Sequence, residues 1–198
     1  SWENLVTCNP GVIHDDGVFY MLYRAAGDDE DHVIRLGLAQ SVDGLHFERM
    51  SENPVFSPSE DGPDSGCVED PRIVKMGGEF YVTYAYRPYS PGRYWTFPHD
   101  VVRLPECGPD APKAWASNLG NTGLALTRDF RHFRRLGRLT SPVLDDRDVI
   151  LFPEKVKGKY VMLHRPKDYV GPEYGVEYPS IWIKFSDDIL EWENKESH

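Results

Sequence analysis

Two carboxylates and a guanidinium occur within four consecutive residues, Glu69-Asp70-Pro71-Arg72. A carboxyl group beside a leaving group can donate a proton to it, and an Arg can hold a carboxylate or a phosphate. Because adjacent residues of a strand face opposite sides of a sheet, we expect only one of Glu69 and Asp70 to enter a pocket and the other to pair with Arg72. The tetrapeptide provides one candidate proton donor, although a salt-bridged turn without catalysis explains it at least as well on its own.

An Arg follows an apolar strand at three places: Tyr23-Arg24, Tyr86-Arg87 and His164-Arg165. Guanidinium forks suit a phosphate or the vicinal hydroxyls of a sugar, and a His can donate a hydrogen bond near neutral pH. Each Arg taken singly is better explained as a solvent-exposed charged residue at the end of a strand. Together with Arg35 and Lys155, they predict a cationic ring in a protein whose net charge is −10.

Repeated patterns predict the strands that must position these residues. A short apolar strand, a Ser or Thr, any residue, an Asp, and an aromatic four positions after the Asp recur at residues 37–47, 123–133 and 182–192. An Asp or Ser at a tight turn bonds backbone N–H groups through its side chain. A glycine turn and an aromatic-rich strand precede each segment, so the pattern is typical of four-stranded antiparallel meanders.

Meanders that recur as units predict an all-β fold, and β-propeller blades fit them better than a sandwich does. The predicted blade-like units cover about residues 9–55, 68–136 and 148–194. Because propellers ordinarily have ~4–8 blades, three units predict a partial β-propeller over residues 1–198. A three-unit sandwich or a chance pattern is the alternative, and a helix-rich fold is the least favoured.

The first strand of a propeller blade lines the central channel, so residues at its start should converge on the axis. The turn glycines align three such starts, namely Asn9-Pro10, Asp70-Pro71 and Phe152-Pro153. Proline is tolerated there because the first residue of a strand need not donate a ladder hydrogen bond. The alignment predicts a polar site on the axis.

Composition argues against several classes of function. A net charge of −10 argues against a nucleic-acid partner, because proteins that neutralise phosphate backbones usually present a basic face. Cys8, Cys67 and Cys107 lack the paired spacing of a metal or redox motif, so we expect no metal. The longest apolar stretches span five or six residues, too few for a membrane span. The missing initiating Met predicts a start inside a longer gene product, and the compartment, bacterial cytoplasm or periplasm, stays open.

An ordered series of motifs resembles glycoside hydrolase family 130 and extends over nearly all of the chain. The motifs are Asn9-Pro10-Gly11, Tyr23-Arg24, Leu36-Gly37-Leu38-Ala39, Ser41-Val42-Asp43-Gly44, Glu69-Asp70-Pro71-Arg72-Ile73, Phe152-Pro153-Glu154-Lys155 and His164-Arg165-Pro166. Members of this family are β-mannoside phosphorylases and β-1,2-mannosidases. The resemblance implies a five-bladed β-propeller, of which this chain covers about three blades.

The resemblance also implies roles for individual residues. Asp70 is expected to be the general acid of an inverting reaction, acting through a sugar hydroxyl. Asn9 and Arg24 are expected to hold the mannosyl unit next to the cleaved bond. Arg35 and Glu69 complete the predicted substrate-binding set.

The resemblance favours phosphorolysis to mannose 1-phosphate, with inorganic phosphate as co-substrate and no other cofactor expected. The predicted phosphate ligands are Arg87, Lys155, His164 and Arg165. Phosphate is already nucleophilic and needs positive charge to bind it, whereas water needs a second carboxylate ~6.5–9.5 Å from the acid. A hydrolase is therefore the first alternative, and its candidate bases are Glu154, Glu173 and Glu177.

A sugar-binding propeller without catalysis is a further alternative. Aromatic faces suit sugar rings, and the insertion from Tyr86 to Phe97 contains Tyr86, Tyr89, Tyr94, Trp95 and Phe97. A third alternative is a structural or protein-interaction propeller, which would leave the Arg side chains facing solvent. The expected partner of the enzyme is a mannoside oligosaccharide, and the sequence leaves a homo-oligomer open.

Overall fold

Each sheet of this protein is built from strands that follow one another along the chain and pair antiparallel. The computed structural model describes residues 1–29, 31–93 and 101–192. Sheet 1 contains β1 (Val6–Asp15), β2 (Val18–Ala26), β3 (Ile34–Ser41) and β4 (Glu48–Arg49); sheet 2 contains β5 (Cys67–Met76), β6 (Glu79–Arg87), β7 (Asn121–Thr127) and β8 (Phe133–Arg138); sheet 3 contains β9 (Asp146–Leu151), β10 (Tyr160–Pro166) and β11 (Trp182–Ser186). A single helical turn, α1 (Lys113–Ala116), lies between β6 and β7, and no helix of the described residues is long and apolar enough to cross a membrane.

This arrangement confirms the all-β prediction, and the chain forms three consecutive blades of a β-propeller. The first strands of the sheets are neighbours, with β1 against β5 and β5 against β9. Gly11 of β1 approaches sheet 2 so closely that an added Cβ atom would lie 2.5 Å from the Pro71 carbonyl oxygen. A side chain at Gly11 would therefore push the two inner strands apart.

Apolar side chains fill the spaces between successive sheets. Leu22 and Leu38 of sheet 1 pack with Phe80 and Val82 of sheet 2. Leu124 of sheet 2 belongs to a cluster with the sheet 3 residues Val149, Leu151 and Met162. A polar contact joins the same two sheets, since the Thr83 hydroxyl donates to the Val149 carbonyl at 2.7 Å. The inner strands are thus fixed relative to one another by packing on both sides of sheet 2.

The predicted Asp turns are confirmed in all three sheets. Asp43 Oδ1 accepts hydrogen bonds from the backbone N–H groups of Leu45 and His46, each at 2.8 Å. Asp129 Oδ1 makes the equivalent bonds with residues 131 and 132 in sheet 2. In sheet 3, Asp188 Oδ1 accepts from the N–H of residue 190. The bonds made to Asp43, led by those from His46, hold the pKa of its carboxyl well below the usual range.

Candidate active site

Each inner strand is interrupted by one residue in the left-handed backbone region. The φ angles are 45° at Asn9, 53° at Asp70 and 63° at Asp148. Pairing with the second strand shifts register across the first two, between Cys8 and Gly11 and between Glu69 and Arg72. Short polar side chains such as Asn and Asp tolerate this conformation better than other non-glycine residues. The three positions are bulges that change the direction of the side chains of the inner strand.

The register corrects the predicted alignment of the third inner strand. Cys8 pairs with Arg24, Glu69 with Ala85 and Arg147 with Arg165, so Asp148 is the counterpart of Asn9 and Asp70. The prediction that Phe152-Pro153 occupies this place was wrong by four residues. Proline follows the left-handed residue in the first two strands, whereas Val149 follows it in the third, so the sequence marker was absent there.

Asn9, Arg24, Glu69 and Asp70 form one cluster between sheets 1 and 2. Asp70 Oδ1 accepts hydrogen bonds from Asn9 Nδ2 at 2.9 Å and from Arg24 Nη1 at 3.0 Å. Arg24 Nη1 also lies 2.8 Å from Glu69 Oε2. The sequence therefore correctly predicted that Asn9, Arg24 and Asp70 come together, with Asn9 and Asp70 on inner strands and Arg24 on β2.

The same cluster corrects the expectation about the two carboxylates. Glu69 and Asp70 both contact the Arg24 guanidinium, because the bulge breaks the alternation of side chains between the two faces. The predicted ion pair with Arg72 was wrong, since Arg72 Nη1 donates instead to the Pro71 carbonyl at 3.0 Å. Arg24, rather than Arg72, is the cation that the acidic pair shares.

Burial distinguishes the two carboxylates. The Glu69 side chain is 1% exposed and that of Asp70 is 16% exposed. Arg147 of sheet 3 approaches Glu69 from the other side, with Nη1 4.0 Å from Oε1. Glu69 therefore lies between cations of two sheets and fixes Arg24, while Asp70 is the carboxylate with access to a ligand.

Cys8, next to Asn9, lies close to this cluster. Burial raises the pKa of its thiol, while the positive charge of Arg24 opposes that effect and the charges of Asp70 and Glu69 add to it. A thiol with a raised pKa stays protonated near neutral pH and is a poor nucleophile. The chemistry of the cluster is therefore that of the carboxylates and of Arg24.

His164 forms a buried pair on the side of sheet 3. Its Nδ1 lies 2.7 Å from Asp146 Oδ2, and the two side chains are 1% and 2% exposed. A carboxylate accepts from the Nδ1–H group, which directs the other ring nitrogen, Nε2, away from Asp146. Among the described residues, Nε2 has no hydrogen-bond partner.

The other predicted phosphate ligands occupy three different environments. Arg165 Nε lies 3.2 Å from Asp148 Oδ2. Arg87 is buried and donates to the Asn118 carbonyl. Lys155 is exposed in the connection from β9 to β10, with its ammonium 4.1 Å from the centre of the Tyr160 ring. By register Arg165 is equivalent to Arg24, whereas Arg87 lies two residues beyond the equivalent position, so the predicted threefold equivalence was wrong for Arg87.

The remaining candidates lie away from these contacts. Arg35 of β3 donates from Nη1 to the Val33 carbonyl at 3.2 Å. The candidate hydrolytic bases are all exposed in connecting segments: Glu154, Glu173 and Glu177. Tyr86 is buried in the core, and Tyr89 packs edge-on against Trp115 with the ring centres 6.1 Å apart. Tyr94, Trp95 and Phe97 lie outside the described residues.

Sequence reasoning missed three residues of this region: Asp146, Arg147 and Asp148. They belong to the run Asp145-Asp146-Arg147-Asp148, whose charge density at the start of a predicted strand resembles that of residues 69–72. This similarity was the available signal. It was missed because the alignment on the turn glycines selected Phe152-Pro153 as the start of the third inner strand.

Comparison with known proteins gives consistent matches. The model of glycoside hydrolase family 130, described as β-1,4-mannooligosaccharide phosphorylase, matches residues 3–97. The chain is 36% identical over 199 residues to a 1,2-β-oligomannan phosphorylase from Thermoanaerobacter sp. (strain X514), an alignment that covers 96% of this chain and 53% of that protein. The chain spans about half the length of the curated relatives that it matches.

Solved structures share the fold at low sequence identity. The β-1,2-mannobiose phosphorylase from Listeria innocua, in complex with β-1,2-mannobiose, gives a TM-score of 0.62 at 21% identity and covers 92% of this chain and 56% of that one. A structure from the family of mannoside phosphorylases described as containing hydrolases that target β-1,2-mannosidic linkages in Candida mannan gives 0.65 at 22% identity, with coverages of 97% and 49%. These likenesses show the propeller fold.

Proposed function

Because this chain belongs to glycoside hydrolase family 130, we propose that the full-length protein is an enzyme that cleaves β-mannosidic bonds with inversion, using inorganic phosphate as the attacking group. The observation that carries this proposal is the contact of Asp70 with both Asn9 and Arg24. The 1,2-β-oligomannan phosphorylase at 36% identity supports the substrate class and the choice of phosphate over water. The proposed substrate is a mannoside oligosaccharide, and no cofactor beyond phosphate is needed.

The geometry of Asp70 suits a proton donor. Asn9 and Arg24 both donate to Oδ1, so this oxygen is held in place and Oδ2 is left to carry the proton. Glu69 holds Arg24 from a buried position and so keeps the guanidinium next to Asp70. Asn9 and Arg24 also line the place where a mannosyl unit would contact Asp70, which agrees with their proposed role in binding it.

The proposed reaction has a simple balance of bonds. A phosphate oxygen forms a bond to the anomeric carbon on the face opposite the leaving sugar, and the glycosidic C–O bond breaks through an oxocarbenium-like transition state. The proton of Asp70 reaches the leaving oxygen, by way of a sugar hydroxyl, and inversion gives α-mannose 1-phosphate. Asp70 is left as a carboxylate beside Arg24, which stabilises the negative charge.

The proposed phosphate ligands are Arg87, Lys155, His164 and Arg165. His164 supports this assignment best, because its buried Nε2 has no hydrogen-bond partner among the described residues. Asp146 contacts Nδ1 at 2.7 Å and so holds the ring with Nε2 directed away from Asp146. His164 is therefore the residue with which to begin a test of the set.

Product analysis of the full-length protein tests the reaction. A β-1,2-mannooligosaccharide incubated with and without inorganic phosphate should release mannose 1-phosphate only when phosphate is present. Free mannose, formed at the same rate in both reactions, would establish hydrolysis instead. Binding of the oligosaccharide without either product would identify a sugar-binding propeller.

Replacement of the acid tests the role of Asp70. D70N keeps the shape of the side chain and its contact with Arg24 but cannot deliver the proton, so kcat should fall about 10²–10⁴-fold. The matched control is D187N, which makes the same chemical change at an exposed surface pair with Lys159 and should leave kcat unchanged. Equal rates for D70N and D187N would reject Asp70 as the general acid.

A further inference from the structure

Asp148 stands in the same backbone setting as Asn9 and Asp70. It has a positive φ angle like theirs, and the residue before it pairs with the second strand in the same register as Cys8 and Glu69 do. The inner strands follow one another around the axis, with β5 between β1 and β9. Because the same bulge directs the side chain in the same way within each sheet, we expect the Asp148 side chain to leave its strand in the same direction as those of Asn9 and Asp70.

Asp148 and Arg165 form a pair that remains accessible. The two side chains are 35% and 38% exposed, and their contact lies within sheet 3. Exposed ion pairs contribute little to stability, so the fold does not depend on this one. Arg165 is the register counterpart of Arg24, which places a second Asp–Arg combination beside the first around the axis.

We propose that Asp148 is a sugar-binding residue of this site, whose carboxylate accepts hydrogen bonds from vicinal hydroxyls while the Arg165 guanidinium donates to the same sugar; this rests on the proposed function and deepens it. A sugar hydroxyl both donates and accepts hydrogen bonds, so an adjacent carboxylate and guanidinium satisfy vicinal hydroxyls together. A phosphate dianion is repelled by the Asp148 carboxylate and meets an Arg whose charge is already balanced. Arg165 is thereby moved from the phosphate set to the sugar set.

The test uses D148N in the full-length protein. Asn tolerates the left-handed conformation, and Asn9 occupies the equivalent position in sheet 1, so the fold should be retained. The KM for β-1,2-mannobiose should rise about tenfold or more, because a charged hydrogen bond to the sugar is lost. The KM for inorganic phosphate should stay the same, and the exposed D187N variant should change neither constant.

The second variant is R165Q, and the second measurement is calorimetric titration with β-1,2-mannobiose in the absence of phosphate. Both variants should bind the disaccharide more weakly than the wild type, at an unchanged melting temperature. A rise of the phosphate KM alone, unchanged constants, or a lower melting temperature at unchanged sugar affinity would each overturn the proposal. If the wild type binds the disaccharide without cleaving it, the proposed function fails, while the titration still decides the role of Asp148. If the wild type does not bind the disaccharide, both the proposed function and the proposed role of Asp148 are rejected.

Discussion

Sheets 1 and 2 are clamped in the same way, and sheet 3 is not. In sheet 1, Tyr23 of β2 donates its hydroxyl proton to Glu3 at 2.7 Å, and Arg49 of β4 pairs with the same carboxylate. The Tyr23 ring lies over Gly37 of β3, where a Cβ atom would collide with it. One carboxylate therefore ties the second and fourth strands together across the third, an arrangement that we call the tyrosine clamp.

Sheet 2 repeats the clamp with equivalent residues. Tyr84 donates to Asp64 at 3.1 Å, Arg135 of β8 lies 2.7 Å from the same carboxylate, and Gly123 lies beneath the Tyr84 ring. Asp64 precedes Asp70 by six residues, as Glu3 precedes Asn9. The clamp thus belongs to the repeated architecture and is independent of the polar cluster.

In sheet 3 the corresponding positions hold different residues. His164 takes the place of the tyrosine, Trp182 pairs with it where the other sheets have glycine, and the acid is Asp146, two residues before the bulge. A tyrosine could not lie over Trp182 as Tyr84 lies over Gly123. The clamp acids of the first two sheets, Glu3 and Asp64, therefore hold strands together, whereas the acids of sheet 3, Asp146 and Asp148, hold His164 and Arg165.

Removal of a clamp carboxylate should cause the largest loss of stability. The Asp64 side chain is 2% exposed and that of Glu3 is 11% exposed, while their Arg partners are 36% and 46% exposed. Asp64→Asn should lower the free energy of unfolding by about 3 kcal/mol, because Arg135 and Tyr84 lose a buried anionic acceptor. Glu3→Gln should cost about 1 kcal/mol, since water can replace more of its contacts.

Urea unfolding of both variants measures these costs at neutral pH. The exposed pair of Lys159 and Asp187 provides the control, because Lys159→Ala should change stability by less than about 0.5 kcal/mol. Equal losses for Asp64→Asn and Glu3→Gln would show that burial does not distinguish the two clamps. A loss at Asp64 no larger than at Lys159 would show that the clamp does not stabilise sheet 2.

The repeated part of the fold could be predicted because its signals are local. The Asp turns and the glycine turns depend on residues within a few positions of one another, so their spacing alone indicated the three meanders. The clamps were invisible, because Glu3 and Asp64 lie in loops and meet their tyrosines only after the strands pair. No pattern of strand periodicity marks a residue twenty positions away.

The site could be predicted only where proline marked the inner strand. Asn9 and Asp70 precede prolines and were correctly brought together, whereas Asp148 precedes Val149 and was missed. The alternation rule failed at Glu69 and Asp70 because a bulge reverses it. The bulge lies where two inner strands approach closely, since Gly11 of β1 is next to the Pro71 carbonyl of β5.

A smaller effect is expected when the glycine of a clamp is replaced. A Cβ atom at position 123 would lie 2.6 Å from Cζ of the Tyr84 ring. Because Tyr84 is buried, Gly123→Ala should cost about 2 kcal/mol through overpacking. Tyr23 is only half-buried and can move outward, so Gly37→Ala should cost less than half as much.

Thermal unfolding of the two alanine variants tests this difference. Gly108→Ala is a suitable control, because a Cβ atom there would have no neighbour within 4 Å. Truncation of the ring should relieve the collision, so the double variant Gly123→Ala/Tyr84→Leu should be less destabilised than the sum of its single variants. Additive losses would mean that the Tyr84 ring is not what excludes a side chain at Gly123.

The smallest expected effect is a difference in alkaline sensitivity between the sheets. Burial raises the pKa of Tyr86 in sheet 2 to about 12, while its register counterparts, Ala25 and Pro166, do not ionise. Since the folded pKa lies above the unfolded value of about 10, the neutral phenol stabilises the fold fully below pH 10, and this contribution is lost as the pH rises towards 12. Between pH 9 and 11 the wild type should therefore lose about 1 kcal/mol more than Tyr86→Phe, as measured by urea unfolding at each pH.

The exposed Tyr178→Phe change should leave the pH dependence of the wild type unaltered, because that side chain meets water in both states. Parallel curves for Tyr86→Phe and the wild type would show that Tyr86 ionises equally easily in the folded and unfolded chains, and the alkaline sensitivity would then have to come from the tyrosines of the clamps, whose pKa values burial also raises.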